Sequence, residues 1–151
     1  MKIKIEYLKS HLFIVLVLFS LVSAGCSDKK NPTIQFENLQ VILPPPVSSG
    51  TAAYGVILNK GKEPDTLKHI SSNAGMVTLH QTSIKNGSAQ MNHVKNYKIT
   101  KDKSLILKPM SYHLMLMNID HDVIKENGQV EFIFEFEKSG KIKVVAPIVK
   151  N

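Results

Sequence analysis

Four residues of this chain have the types and spacing of a soft-metal site: His80, Met91, His113 and Met115. The first two lie in "LHQTSIKNGSAQMNHV" (79–94), where Asn86-Gly87 supplies the positive φ angles of a tight hairpin turn. Ten residues stand between His80 and Met91, which suits two strands running around that turn. The other two lie in "YHLMLM" (112–117). Side chains alternate along a strand, so Leu114 and Leu116 share the apolar face while His113, Met115 and Met117 share the opposite one. By the same rule Val77 and Leu79 point one way, and Thr78 and His80 the other. Two imidazoles and two thioethers make a set without thiolate. Thioethers select Cu(I) among biological metals, whereas zinc takes Cys, His and carboxylate and calcium and magnesium take oxygen. Such a set also escapes the disulfide formation that threatens a Cys-based site in an oxidising compartment. Against this stands a plainer reading. Methionine fills gaps in cores, six Met in 151 residues is not extreme, and a lone strand His is more often a surface residue than a ligand. Composition leaves both readings open.

The elements that must position these residues are extended throughout. "TIQFENLQVIL" (33–43) runs into "PPP" (44–46), which interrupts a strand. "TAAYGVILN" (51–59) is a strand and "KGKEPD" (60–65) a turn. "TLKHIS" and "MVTLHQT" are strands separated by "SNAG", and "AQMNHV" returns from the hairpin turn. "SLILKP" (104–109) and "YHLMLMNI" (112–119) flank Met110-Ser111. "QVEFIFEFE" (129–137) puts Val130, Phe132, Phe134 and Phe136 on one face, and "KSGK" (138–141) turns into "IKVVAPIV". No amphipathic helical stripe interrupts this pattern. Eight or nine short strands at this spacing predict an all-β sandwich or barrel. There is no internal repeat and no low-complexity segment.

The N-terminus reads as a targeting segment. Lys2, Lys4 and Lys9 precede "LFIVLVLFSLVSAG", an apolar run ending in small residues, which is the layout of a secretory signal. The run is short for a membrane span of about 20 residues. Cys26, the only cysteine, follows it directly in "VSAGCS". That resembles a bacterial lipobox, with Ser23 where Leu is usual; cleavage after Ala24 by an ordinary signal peptidase is the alternative. The expected organisation is a signal over 1–25, a polar tether over 26–33 and one folded domain over 34–151. The product would be exported and periplasmic, anchored to the membrane through a lipid on Cys26.

Charge narrows the partners. Removing residues 1–25 takes away three lysines and one acid, so the formal charge falls from +7 to +5. Every basic residue is Lys, and nucleic-acid readers lean on Arg for bidentate contacts, so no nucleic-acid partner is expected. The lysines read as a solvated surface that would also favour an acidic partner or anionic lipid. Glu131, Glu135 and Glu137 alternate along one strand and read as its wet face. No catalytic constellation appears, so the chain is not read as an enzyme.

The run His80, ten residues, Met91, twenty-one residues, His113, one residue, Met115 resembles the H-x10-M-x21-H-x-M pattern of the PCuAC family of periplasmic copper(I) chaperones. "AAYGVILN" (52–59) is similar to that family's Ala-Ala-Tyr strand ending in Asn, and "DTLKHISSNAGMVTLHQ" (65–81) to its Asp-x-Leu segment leading to the first His. "LKPMSYHLMLMNI" (107–119) resembles its Leu-x-Pro-Gly-Gly-x-His-x-Met-Leu segment, and "VEFIFEFEKSGKIKVVAPI" (130–148) its closing hairpin. The resemblance implies a cupredoxin-like Greek-key β-sandwich and Cu(I) held by His80, Met91, His113 and Met115. It also implies transfer to a copper acceptor, such as a cytochrome c oxidase subunit or an assembly factor.

The chain departs from the pattern at Met110-Ser111, where the family carries paired glycines; this changes the local turn and brings another thioether near the site. His93 and His121 are candidate auxiliary or Cu(II) ligands, with exposed His as the plainer reading. Met76 and Met117 read as packing or neighbouring residues, Met117 being the better extra ligand. Two rival functions stay open: a periplasmic copper buffer using the same site, and a metal-free β-sandwich interaction lipoprotein, which would hold the four candidate ligands apart.

Overall fold

The computed structural model describes residues 31–150. The export signal expected over 1–25, Cys26 and most of the tether therefore lie outside the described residues.

Among the described residues ten strands form from the alternating segments: β1 (Ile34–Ile42), β2 (Gly50–Asn59), β3 (Asp65–Ser72), β4 (Met76–Lys85), β5 (Ser88–His93), β6 (Tyr97–Ile99), β7 (Lys103–Leu107), β8 (Tyr112–Met117), β9 (Gln129–Phe136) and β10 (Gly140–Val149). The sequence pattern missed only β6, which is three residues long and too short to show a period. The strands are ordered β5-β4-β8-β7-β2-β1-β10-β9-β3-β6, with β8 also paired to β2. One layer runs from β5 to β1. The other runs from β10 to β6. They are joined by the parallel pair Val41↔Ile148 and Ile42↔Val149. This is the all-β, cupredoxin-like sandwich that the sequence led us to expect.

The core lies between the layers, where alternation puts every second side chain. Val130, Phe132, Phe134 and Phe136 of β9 are all buried, in one core cluster with Val41, Ile57, Leu105, Leu114 and Leu116 of the other layer. Phe36 of β1 reaches across to Phe134, with ring centroids 4.6 Å apart. On the outer face, Glu131 and Glu137 pair with Lys143 and Lys68 at 2.6 and 3.4 Å, as expected of solvated charges.

One irregularity positions the site. β2 pairs with β8 through Ala53↔Leu114 and with β7 from Gly55↔Leu107 onward. At the switch β1 bulges toward β2 between Glu37 and Gln40. A Cβ on Gly55 would stand 2.7 Å from Leu39 Cα, so only glycine fits there. β7 ends at Leu107 and β8 begins at Tyr112, so the β7–β8 connection at 108–111 falls at this switch.

Two buried polar residues tie the loops down. Asn59 uses its whole amide: Oδ1 accepts from Thr33 and Gly61 N–H, and Nδ2 donates to the Glu63 and Ile99 carbonyls. Asp65, only 1% exposed, accepts backbone N–H bonds from Thr66 (2.8 Å), Lys138 (2.9 Å) and Ser139 (2.9 Å). Burial alone would raise its pKa, but the Ser139 side chain beside it and these N–H donors outweigh burial and hold the carboxyl below its usual 3.8. The stability it adds is present above that usual value and is lost as pH falls through the lowered folded value. Asp65→Asn sets an amide N–H2 against one of these donors. We expect it to cost about 2 kcal/mol at pH 7 and to remove this part of the acid sensitivity. Urea unfolding of both proteins at pH 7 and pH 3 checks it; equal acid losses would count against the carboxylate's role.

Candidate metal centre

β5, β4 and β8 are antiparallel neighbours at one end of a layer, and their register decides which side chains meet. The Asn86-Gly87 turn has φ angles of 51° and 77°, the left-handed pair of a two-residue hairpin. It closes Lys85↔Ser88 and so forces Thr82↔Met91 and His80↔His93. β8 pairs on the other side through His80↔His113, Thr78↔Met115 and Met76↔Met117. Met76, Thr78, His80 and Thr82 of β4, Met91 and His93 of β5, and His113, Met115 and Met117 of β8 share the face turned away from the core, since Leu79, Leu114 and Leu116 occupy the inward positions.

The result is a row of three imidazoles across three strands, His93–His80–His113, with ring centroids 5.7 and 5.9 Å apart. Met91 sits diagonally across from His80, and Met115 sits one pleat along from His113. Met91, His113 and Met115 line one shallow depression with Ala52, Thr82 and Met110. His80 adjoins this depression through His113 and does not line it. Ala52 pairs with Met115 and carries too little bulk to cover the thioether. The structure thus brings three of the four sequence-derived candidates to one hollow, with the fourth beside it.

The hydrogen bonds aim the imidazoles. His113 is 7% exposed and its Nδ1 donates to the Ser111 carbonyl at 3.1 Å, leaving the Nε2 lone pair for a ligand. That carbonyl also accepts the Thr82 N–H at 3.0 Å, so the ring orientation is tied to β4. His80 Nε2 lies 3.2 Å from Thr78 Oγ1, and its Nδ1 is buried without a partner. A buried ring nitrogen without a hydrogen-bond partner is costly in a protein alone, and the tautomer with its proton on Nε2 would offer the Nδ1 lone pair to a metal ion. Burial first, then the neighbouring His113 and His93, hold the His80 pKa below 6.5, so its ring is neutral at neutral pH, as metal ligation requires.

Among the described residues no three His, Cys, Asp or Glu side chains converge closely enough to hold a metal. The histidine row is spread along the sheet. Thioethers stand beside the imidazoles on this face, and thioether donors favour Cu(I) over zinc or Cu(II). His121 is exposed in the loop after β8, and Met117 faces Met76 two pleats from the histidine row. Neither lines the hollow. The residue that does, beyond the sequence-derived four, is Met110. The signal for it was in the sequence as a methionine in place of glycine, but its position depends on the turn.

Comparison with solved structures places the fold. The copper-bound PCuAC domain from PmoF2 matches with a TM-score of 0.64 at 18% identity, over 78% of this chain and 93% of that one. The Cu(I) form of DR1885 from Deinococcus radiodurans matches with a TM-score of 0.62 at 25% identity, over 87% of each chain. Apo PCuAC from PmoF1 gives 0.63 at 18% identity, over 78% and 94%. The sandwich is thus of the PCuAC type. More particularly, the chain belongs to the LpqE-like lipoprotein family, whose pattern it matches over residues 34–148. No curated protein matches it.

Proposed function

We propose that this protein is an exported Cu(I)-binding metallochaperone, not an enzyme, and that His80, Met91, His113 and Met115 hold the ion. The observation that carries this reading is the meeting of Met91, His113 and Met115 around one depression, with His80 and its unpartnered Nδ1 alongside. Kinship with PCuAC-type domains, two of which were solved with copper, supports it.

The chemistry follows from the donor set. Copper is the cargo. Neutral thioethers bind Cu(I) without losing a proton, and each is a weak donor that an incoming thiolate can replace. An acceptor with cysteines would take the ion through ligand-by-ligand exchange, its thiols releasing their protons to solvent as they bind. The shallow site leaves room for that approach. The acceptor we favour is a cytochrome c oxidase subunit or an assembly factor, reached from the periplasmic membrane surface through the lipid anchor at Cys26.

The experiment is competition of the purified protein against a chromophoric Cu(I) chelator, followed by mixing the loaded protein with an apo acceptor domain bearing a dinuclear copper site. One retained equivalent that then passes to the acceptor is the expected result. Retention without transfer would mark a copper buffer. No retention would remove the copper reading and leave a β-sandwich interaction module.

A further inference from the structure

We propose that Met110 is an additional copper ligand, giving the site three sulfur donors instead of two. This rests on the Cu(I) reading above and goes beyond the four-residue pattern. Two independent observations carry it.

The first is backbone conformation. Among the described residues, seven that are not glycine have positive φ: Asn38, Asn86, Asn96, Asp102, Met110, Asn118 and Asn127. Six are Asn or Asp, whose short polar side chains bond locally and tolerate the left-handed region. Met110, at φ 58°, is the exception. A methionine has no local hydrogen bond to offset that conformation, and glycine would relieve it. Burial does not explain its presence either, because Met110 is 63% exposed. Strain of this kind persists where something else over-determines the residue, and it gathers at ligand sites.

The second is position. The turn is closed by Lys108 N–H to the Tyr112 carbonyl (2.7 Å) and Ser111 N–H to the Lys108 carbonyl (3.3 Å). The next residue, Ser111, holds both the Thr82 N–H and His113 Nδ1 on its carbonyl. Met110 therefore stands in a turn that is hydrogen-bonded to a proposed ligand, and it lines the same hollow as Met91, His113 and Met115. His80 does not line that hollow. The donors that line the hollow itself are one imidazole and three thioethers, and a third thioether makes the site softer and more selective for Cu(I). Being exposed, the Met110 thioether is also the donor an approaching acceptor would meet first.

The test uses copper K-edge X-ray absorption and chelator competition on the Cu(I)-loaded protein, with Met110→Leu and Met110→Gly. Leu keeps the volume and removes the sulfur; Gly also removes the backbone strain. We expect about three sulfur neighbours per copper in the parent and about two in each variant, with Cu(I) affinity reduced roughly tenfold in both. The Gly variant should melt higher without copper while binding it more weakly, an opposition that a structural role would not produce. Two sulfurs in the parent, with variant affinities unchanged, would overturn the Met110 assignment and leave the four-ligand reading standing. A parent that retains no copper would overturn both.

Discussion

Replacing His113 by alanine is expected to weaken Cu(I) binding by on the order of 100-fold or more, the largest effect of any single change at the site. Loss of a residue that only orients a ligand typically costs 10–100-fold, and His113 is placed to be a ligand itself. It is the one imidazole that lines the hollow, its Nδ1 is committed to the Ser111 carbonyl, and its Nε2 is left free. Alanine removes the donor and opens space that water would fill. Met115→Leu, which keeps shape and removes only sulfur, should cost less, because a thioether is the weaker donor. His80→Ala should also cost less than His113→Ala, since His80 does not line the hollow. Chelator competition gives the order, and circular dichroism of each apo protein confirms that the fold survives. If His113→Ala binds as tightly as the parent, the site has been drawn around the wrong imidazole and the row must be read from His80 and His93 instead.

The largest effect on stability is expected at Phe134. Its side chain is fully buried, its ring is 4.6 Å from Phe36 across the sandwich and 5.9 Å from Phe132 along its own strand. Phe134→Ala should cost about 3–5 kcal/mol through lost burial and the cavity left behind, with the aromatic contacts contributing to the upper end. For a domain of this size that lowers the melting temperature by roughly 10–20 °C. Phe134→Leu fills most of the space and should cost under about 1.5 kcal/mol. Thermal melts measure both. Phe134 lies in the layer opposite the thioether site, so folded Phe134→Leu should hold Cu(I) with unchanged affinity. A loss of affinity there would mean that the two layers are coupled and that the site is less self-contained than its geometry suggests.

Much of this was legible in the chain itself. Alternation in 129–137 identified a buried aromatic strand, and Val130, Phe132, Phe134 and Phe136 are all buried. Asn86-Gly87 identified the hairpin, and both residues adopt the positive φ angles that turn requires. These readings hold because they depend on local chemistry: a period of two and a steric preference.

The register of the hairpin could not be read in the same way. Spacing put His80 and Met91 on the two strands of one hairpin without fixing which residues pair; Lys85↔Ser88 closes a two-residue turn and puts His93 opposite His80, with Met91 on the diagonal. His93, plainer as an exposed residue on sequence grounds, thereby joins the histidine row.

What the sequence determined by itself was the all-β class, the core faces, and four residues of the types and intervals that Cu(I) favours, because side-chain chemistry and strand period are properties of the local chain. Tertiary structure alone decided which donors share a hollow. The 108–111 turn falls at the partner switch of β2 at Gly55, Met110 stands in that turn, and Ser111 bridges β4 to His113. Those placements depend on pairings between strands far apart in sequence, so no local pattern encodes them.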